Sequence, residues 1–125
     1  MNDLSVTSSV GICDTQPVTA EGVRALIEAC PDLEFVWSCS TLDEAMRLAR
    51  RNPPRIILAD KGIGVSGLVH WVLTLQSSGP GTSVVIWGSS MTEAEALRFV
   101  QAGAKGVIRK VSPTDLLVSC LRSVG

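Results

Sequence analysis

No stretch of this 125-residue sequence approaches the ~20 consecutive apolar residues that a membrane-spanning helix needs. Its polar start, Met1-Asn2-Asp3, does not resemble a secretory leader. Charge of either sign is scarce: 11 Lys and Arg stand against 12 Asp and Glu, a formal net charge of −1. That balance gives no electrostatic footprint for nucleic acid or for an anionic membrane. The only histidine, His70, lies in an apolar helical pattern with Leu68, Val72 and Leu75 and reads as a packing residue. Zinc chemistry therefore has no ligand set and a serine triad no base. The cysteines, Cys13, Cys30, Cys39 and Cys120, form no C-x-x-C pair and sit within apolar patterns, so they read as reduced core thiols. The expected compartment is cytoplasmic.

What remains is ordinary in size and regular in pattern. A chain of this length is one domain, able to bury a single core. Strand-like and helix-like segments alternate from end to end. Residues 8–13 read as a strand, after which Val23, Leu26, Ile27 and Cys30 recur at helical spacing. Pro31-Asp32 breaks that helix, and 33–39 reads as a second strand. Thr41-Leu42-Asp43-Glu44 has the form of a capping box, with Ala45, Leu48 and Ala49 on one face behind it, and Pro53-Pro54 ends the helix. Strand three is 55–59, followed by a glycine-rich loop and an apolar helix over about 67–76. Strand four is 83–87. A second capping box at 92–95 opens a helix carrying Leu97 and Val100, which Gly103 ends. Strand five is 106–109, and Ser112-Pro113 is expected to cap a last helix with Leu116, Leu117, Cys120 and Leu121 inward. Five β-α units imply a parallel sheet covered on both faces, because each crossover helix must pack back on it.

Charges mark the ends of three of these strands: Asp14 after Val10-Gly11-Ile12-Cys13, Asp60 after Ile56-Ile57-Leu58-Ala59, and Lys110 after Gly106-Val107-Ile108-Arg109. They would converge on the carboxyl edge of the sheet, where open α/β sheets place their chemistry. The loop Gly62-Ile63-Gly64-Val65-Ser66-Gly67 spells G-x-G-x-x-G, which in a dinucleotide site lets backbone approach a pyrophosphate. That fingerprint also needs an acid at the end of the next strand, where Gly88, Ser89 and Ser90 stand instead. A glycine-rich turn is the simpler reading. Trp87 ends strand four beside the expected pocket. Thr15 is expected to cap the first helix.

Several segments in this order resemble the receiver domain of bacterial two-component response regulators, in the class that carries a LuxR-type helix-turn-helix. They are Asp14-Thr15-Gln16-Pro17 with Gly22, Pro31-Asp32-Leu33-Glu34, Pro54-Arg55 through Asp60, Ala102-Gly103-Ala104-Lys105-Gly106, and Lys110 followed by Ser112-Pro113. The resemblance covers nearly the whole chain. It implies a flavodoxin-like (βα)5 domain of strand order 2-1-3-4-5 over residues 1–125, with a DNA-binding domain in a longer protein. It further implies that Asp60 accepts a phosphoryl group from a sensor histidine kinase, that Asp14, Asp60 and the Gly62 carbonyl hold Mg²⁺, and that Lys110 neutralises the developing charge. Gly88 and Ser89 fall at the phosphoryl-contact position and Val107 at the aromatic switch position.

The departures from that pattern are as informative. Thr15 stands where the family has a second acid, Gly88 where it has Ser or Thr, and Val107 where it has an aromatic ring. The loop after Asp60 lacks the usual proline and is one residue short. Mg²⁺ is therefore expected to bind weakly or not at all, and Lys61 to offset part of the Asp60 charge. Two readings follow: a receiver that accepts phosphate on Asp60, and a phosphorylation-independent pseudo-receiver serving as a dimerisation or docking scaffold. A small nucleotide-binding or redox domain is a third. A homodimer is expected through the last two helices, with Val118 and Val124 exposed on the last and Arg98 and Gln101 on the one before. Contact with DNA is expected only through the separate domain, with none to a membrane.

Overall fold

The computed structural model describes residues 7–79 and 81–125. Five parallel strands, β1 (Ser8–Cys13), β2 (Leu33–Cys39), β3 (Ile56–Asp60), β4 (Ser83–Gly88) and β5 (Gly106–Arg109), form one sheet in the order β2-β1-β3-β4-β5. Between and after them run α1 (Pro17–Glu28), α2 (Leu42–Arg51), α3 (Val65–Ser78), α4 (Glu93–Ala102) and α5 (Thr114–Val124), with a 3₁₀ turn at Lys61–Ile63. This is the flavodoxin-like arrangement, and the central strands are apolar over residues 10–13, 56–59 and 84–87 because both faces are covered there. On one face α1 and α5 lay Val23, Ile27, Leu117 and Leu121 over Val10, Ile12, Ile56 and Leu58. On the other α2, α3 and α4 lay Ala45, Leu68, Trp71 and Phe99 over Ile57, Ala59, Val84 and Ile86.

Helix starts follow their local chemistry. Thr92 and Glu95 make the complete reciprocal box at α4, with Glu95 N–H donating to Thr92 Oγ1 at 3.1 Å and Thr92 N–H to Glu95 Oε1 at 3.0 Å. Thr41 caps α2 by accepting from Glu44 N–H. Ser112 does not cap α5. The helix begins at Thr114 with Pro113 before it and no side-chain cap bond, since proline at that place already sets an extended entry.

Three surface expectations are corrected by the way the helices roll onto the sheet. Val118 is buried with Leu117 and Leu121, while Leu116 faces out. Val124 is half-buried against the same core rather than exposed. On α4 the inward stripe is Phe99 and Ala102, which leaves Leu97 and Val100 exposed beside Arg98 and Gln101. All four cysteines are free. No helix among the described residues is long and apolar enough to cross a membrane.

Candidate functional site: a closed charge cluster at the sheet edge

Neighbouring strands β1 and β3 diverge to opposite sides at their carboxyl ends, because β1 leads into α1 on one face and β3 into α3 on the other. Asp14 and Asp60 stand at that divergence, both buried, at 2% and 3% exposure. Lys110 arrives from the end of β5, its backbone N–H tied to the Gly88 carbonyl at 2.8 Å. Its Nζ lies 3.1 Å from Asp14 Oδ2, 3.2 Å from Asp60 Oδ1 and 3.1 Å from Gln16 Oε1. The ammonium also sits over the Trp87 ring, 5.1 Å from its centroid. The three charged residues expected to converge do so.

Asp60 is a saturated acceptor. Its Oδ1 receives the Gly62 N–H at 2.9 Å, and its Oδ2 receives the Thr15 hydroxyl at 2.7 Å and the Thr15 N–H at 3.3 Å. A Cβ on Gly62 would meet the Asp60 carboxylate at 3.0 Å, so glycine there lets the turn close on the acid. Thr15 therefore does not cap α1. That helix starts at Pro17 with Gln16 before it and no side-chain cap, and the Thr15 hydroxyl is spent on Asp60. Asp14 Oδ1 accepts from the Gln16 N–H at 2.8 Å. Asp14 Oδ2 receives no hydrogen bond, for the ammonium 3.1 Å away is close in charge but not aligned to donate.

The two acids are pushed apart electrostatically. Burial raises the Asp14 carboxyl above its ordinary value, with the Asp60 charge adding to it and Gln16 and Lys110 only partly opposing. Burial pushes Asp60 the same way, yet the Gly62 N–H, the Thr15 hydroxyl and Lys110 together outweigh it and hold Asp60 low. Asp60 is thus the firmly ionised member and Asp14 the one that first takes a proton.

The cation that the resemblance implies here does not fit the residues present. Lys110 already stands between the two carboxylates, and Thr15 offers Asp60 a donor where a second carboxylate would offer a ligand. Among the described residues no group of three or more His, Cys, Asp or Glu side chains is placed to hold a metal ion.

The remaining expected positions are spread around this cluster. Gly88 is buried at the end of β4, while Ser89 beside it is exposed. Val107 is half-buried, packed against the core on the α3 and α4 face. Lys61 does not face Asp60. It turns to Glu95 Oε1 at 2.7 Å and Ser90 Oγ at 3.3 Å. Gln16 enters the site unforeseen, bonded to both Asp14 and Lys110. Its place two residues past a strand-end acid, where an Asx turn forms, was the available signal.

No family model matches the chain. Among curated proteins, the nitrate/nitrite response regulator NarP of Escherichia coli K12 is 30% identical over 115 residues, 91% of this chain and 53% of that protein. The uncharacterized transcriptional regulatory protein YxjL of Bacillus subtilis is 26% identical over 114 residues, 91% of this chain and 52% of that protein. The chain thus spans about half the length of these relatives. Among solved structures, a LuxR-family two-component response regulator from Aurantimonas sp. SI85-9A1 superposes with a TM-score of 0.87 at 27% identity, over 94% of this chain and 84% of that one. The signal receiver domain of the putative response regulator NarL from Mycobacterium tuberculosis shares the fold, with a TM-score of 0.81 at 19% identity over 94% and 98% of the two chains. With this sheet order, these strand-end residues and these relatives, the chain matches the receiver domain of LuxR/NarL-type two-component response regulators.

Proposed function

We propose that this receiver-type domain is a pseudo-receiver, a dimerisation or docking scaffold within a transcription regulator, whose sheet-edge cluster is held without metal or phosphate. The observation that carries the reading is the state of Asp60. A carboxylate taking three hydrogen bonds and an ion pair must give some of them up before it can attack phosphorus. Lys110 then acts as the resident counter-ion of two buried acids. Gly88 and Val107 offer neither a hydroxyl nor an aromatic ring to relay a modification to α4 and β5, and a modification biases two states only through differential contacts.

The second reading, phosphoryl acceptance on Asp60 from a histidine kinase, is favoured by one feature. Lys110 stands 3.2 Å from Asp60 Oδ1, where it would neutralise charge on a transferred group. Intact-mass measurement after incubation with acetyl phosphate and Mg²⁺ separates the two. The scaffold reading expects no adduct. A hydroxylamine-labile phosphoryl group that disappears in Asp60→Asn would replace it with the switch reading.

A further inference from the structure

A groove of about 470 Å³ opens between α1 and the start of α5, and Trp87 and Lys110 are among the residues that line it. It is lined by Val23, Leu26 and Leu117, together with the buried Trp87, the half-buried Lys110 and the exposed Arg109. Trp87 is 5% exposed, and its indole N–H has no hydrogen-bond partner. A buried donor left unpaired is unfavourable, by contrast with Trp37, whose N–H reaches the Asn52 carbonyl at 3.2 Å. Arg109 is exposed and makes no ion pair among the described residues, and no carboxylate lines the groove. The hydroxyls of Ser112 and Thr114 lie along the same wall. Apolar walls, a few polar groups and this volume are the attributes of a small-molecule site.

We infer that the groove between α1 and α5 binds a small, flat, apolar anion of the aromatic carboxylate class. The apolar body lies against Val23, Leu26 and Leu117, an oxygen accepts from the Trp87 indole, and the negative charge faces Arg109. The inference goes beyond the scaffold reading and holds whether or not Asp60 is phosphorylated. Its interest lies in Lys110, which lines the groove and also bridges Asp14 and Asp60, so a ligand there acts on the cluster directly.

A comparable groove between α2 and α3 is less apt. It contains Trp71, whose indole is also unpaired, but Asp43 and Arg50 both line it, so it has no net preference for an anion.

The test is naphthoate titrated into the folded domain, read from the three indole N–H resonances, with Trp87→Phe assigning the relevant one. A saturable shift of the Trp87 indole is expected, with a dissociation constant on the order of 0.1–1 mM for a ligand of this size. Arg109→Gln should weaken binding roughly tenfold, the value of one charge-assisted contact. Naphthamide, neutral and of the same shape, should bind more weakly than naphthoate by a similar factor. Gly22→Leu should fill the groove and abolish binding while the domain still folds, because a Cβ at Gly22 meets nothing within 4 Å. The inference is overturned if no saturable shift occurs, if the Trp71 indole responds first, or if naphthamide binds as tightly. It is also overturned if the Trp87 resonance moves with protein concentration alone, which would make a second copy of the chain the occupant.

Discussion

Lys61 lies across Gly88. A Cβ placed on Gly88 would stand 2.9 Å from Lys61 Cβ and 3.2 Å from the Ser90 carbonyl oxygen, closer than packed atoms tolerate. The Lys61 side chain runs on from there to Glu95, inside the capping box of α4. The glycine that the resemblance sets at the phosphoryl-contact position is thus tied to a lysine that joins the end of β3 to α4.

Restoring a hydroxyl at that position should therefore require two changes. Gly88→Thr alone is expected to destabilise the domain by about 1–3 kcal/mol through overpacking. Lys61→Gly in the same chain should recover part of that loss, whereas Lys61→Ala, which keeps the Cβ, should recover little. Urea unfolding of the singles and doubles checks this as a double-mutant cycle. Additive losses would show that Lys61 and Gly88 do not constrain one another.

The positions of Asp14 and Asp60 were legible because a buried parallel strand reads as an unbroken apolar run, and the first charge after the run marks its exit. Lys110 follows another charge, Arg109, and was singled out by its place just past the strand and by the family resemblance. The direction of a side chain was not legible in the same way. Thr15 was expected to cap α1, but a proline at the start of α1 removes one donor that a cap would satisfy, and the nearby Asp60 carboxylate accepts more strongly. Val118 and Leu116 were placed on the wrong sides because neighbouring apolar residues leave two adjacent helical faces possible, and packing on the sheet chooses between them. The contact between Lys61 and Gly88 had no signal at all in sequence, since a glycine at a strand end reads as a turn.

Gly11 has a comparable dependence on a neighbour. Between Val10 and Gly11 the β1–β2 register shifts, and Trp37 comes to lie opposite Gly11. A Cβ there would stand 2.6 Å from the indole ring, which is itself 7% exposed and anchored through its N–H to Asn52. Gly11→Ala should destabilise the domain by about 1–3 kcal/mol and perturb the Trp37 indole resonance. Unchanged stability would mean that the ring moves freely.

Thr15→Asp tests the metal question from the protein's side. It removes the hydroxyl that saturates Asp60 and adds a carboxylate beside Asp14. A charge pair about 4 Å apart interacts by roughly 4 kcal/mol at an effective dielectric near 20, most of which desolvation takes back. Mg²⁺ affinity, in the millimolar range or weaker for the parent, should tighten roughly ten- to a hundredfold. Calorimetry on both chains measures it. Submicromolar binding by the parent would point to another ligand set altogether.

Lys110→Met removes the positive charge that, among the described residues, contacts both buried acids. Breaking a buried pair from one side typically costs about 3–5 kcal/mol, and that loss is expected near neutral pH. The dependence on pH should also change, because the two acids act on it in opposite directions. In the parent, Asp60 is held low, so its contribution is present above the unfolded-state value and fades as pH falls through the folded value. Without the ammonium, Asp14, already raised by burial, rises further, and the folded state keeps a proton that the unfolded chain has released. Its stabilising effect is then greatest in mild acid and is lost as pH climbs through the folded value. Unfolding free energies taken from pH 4 to pH 8 should show Lys110→Met closest to the parent at the acid end, with the gap widening upward. Parallel curves would mean that Lys110 does not neutralise the two carboxylates, and with that the closed-cluster account of Asp60 would fail.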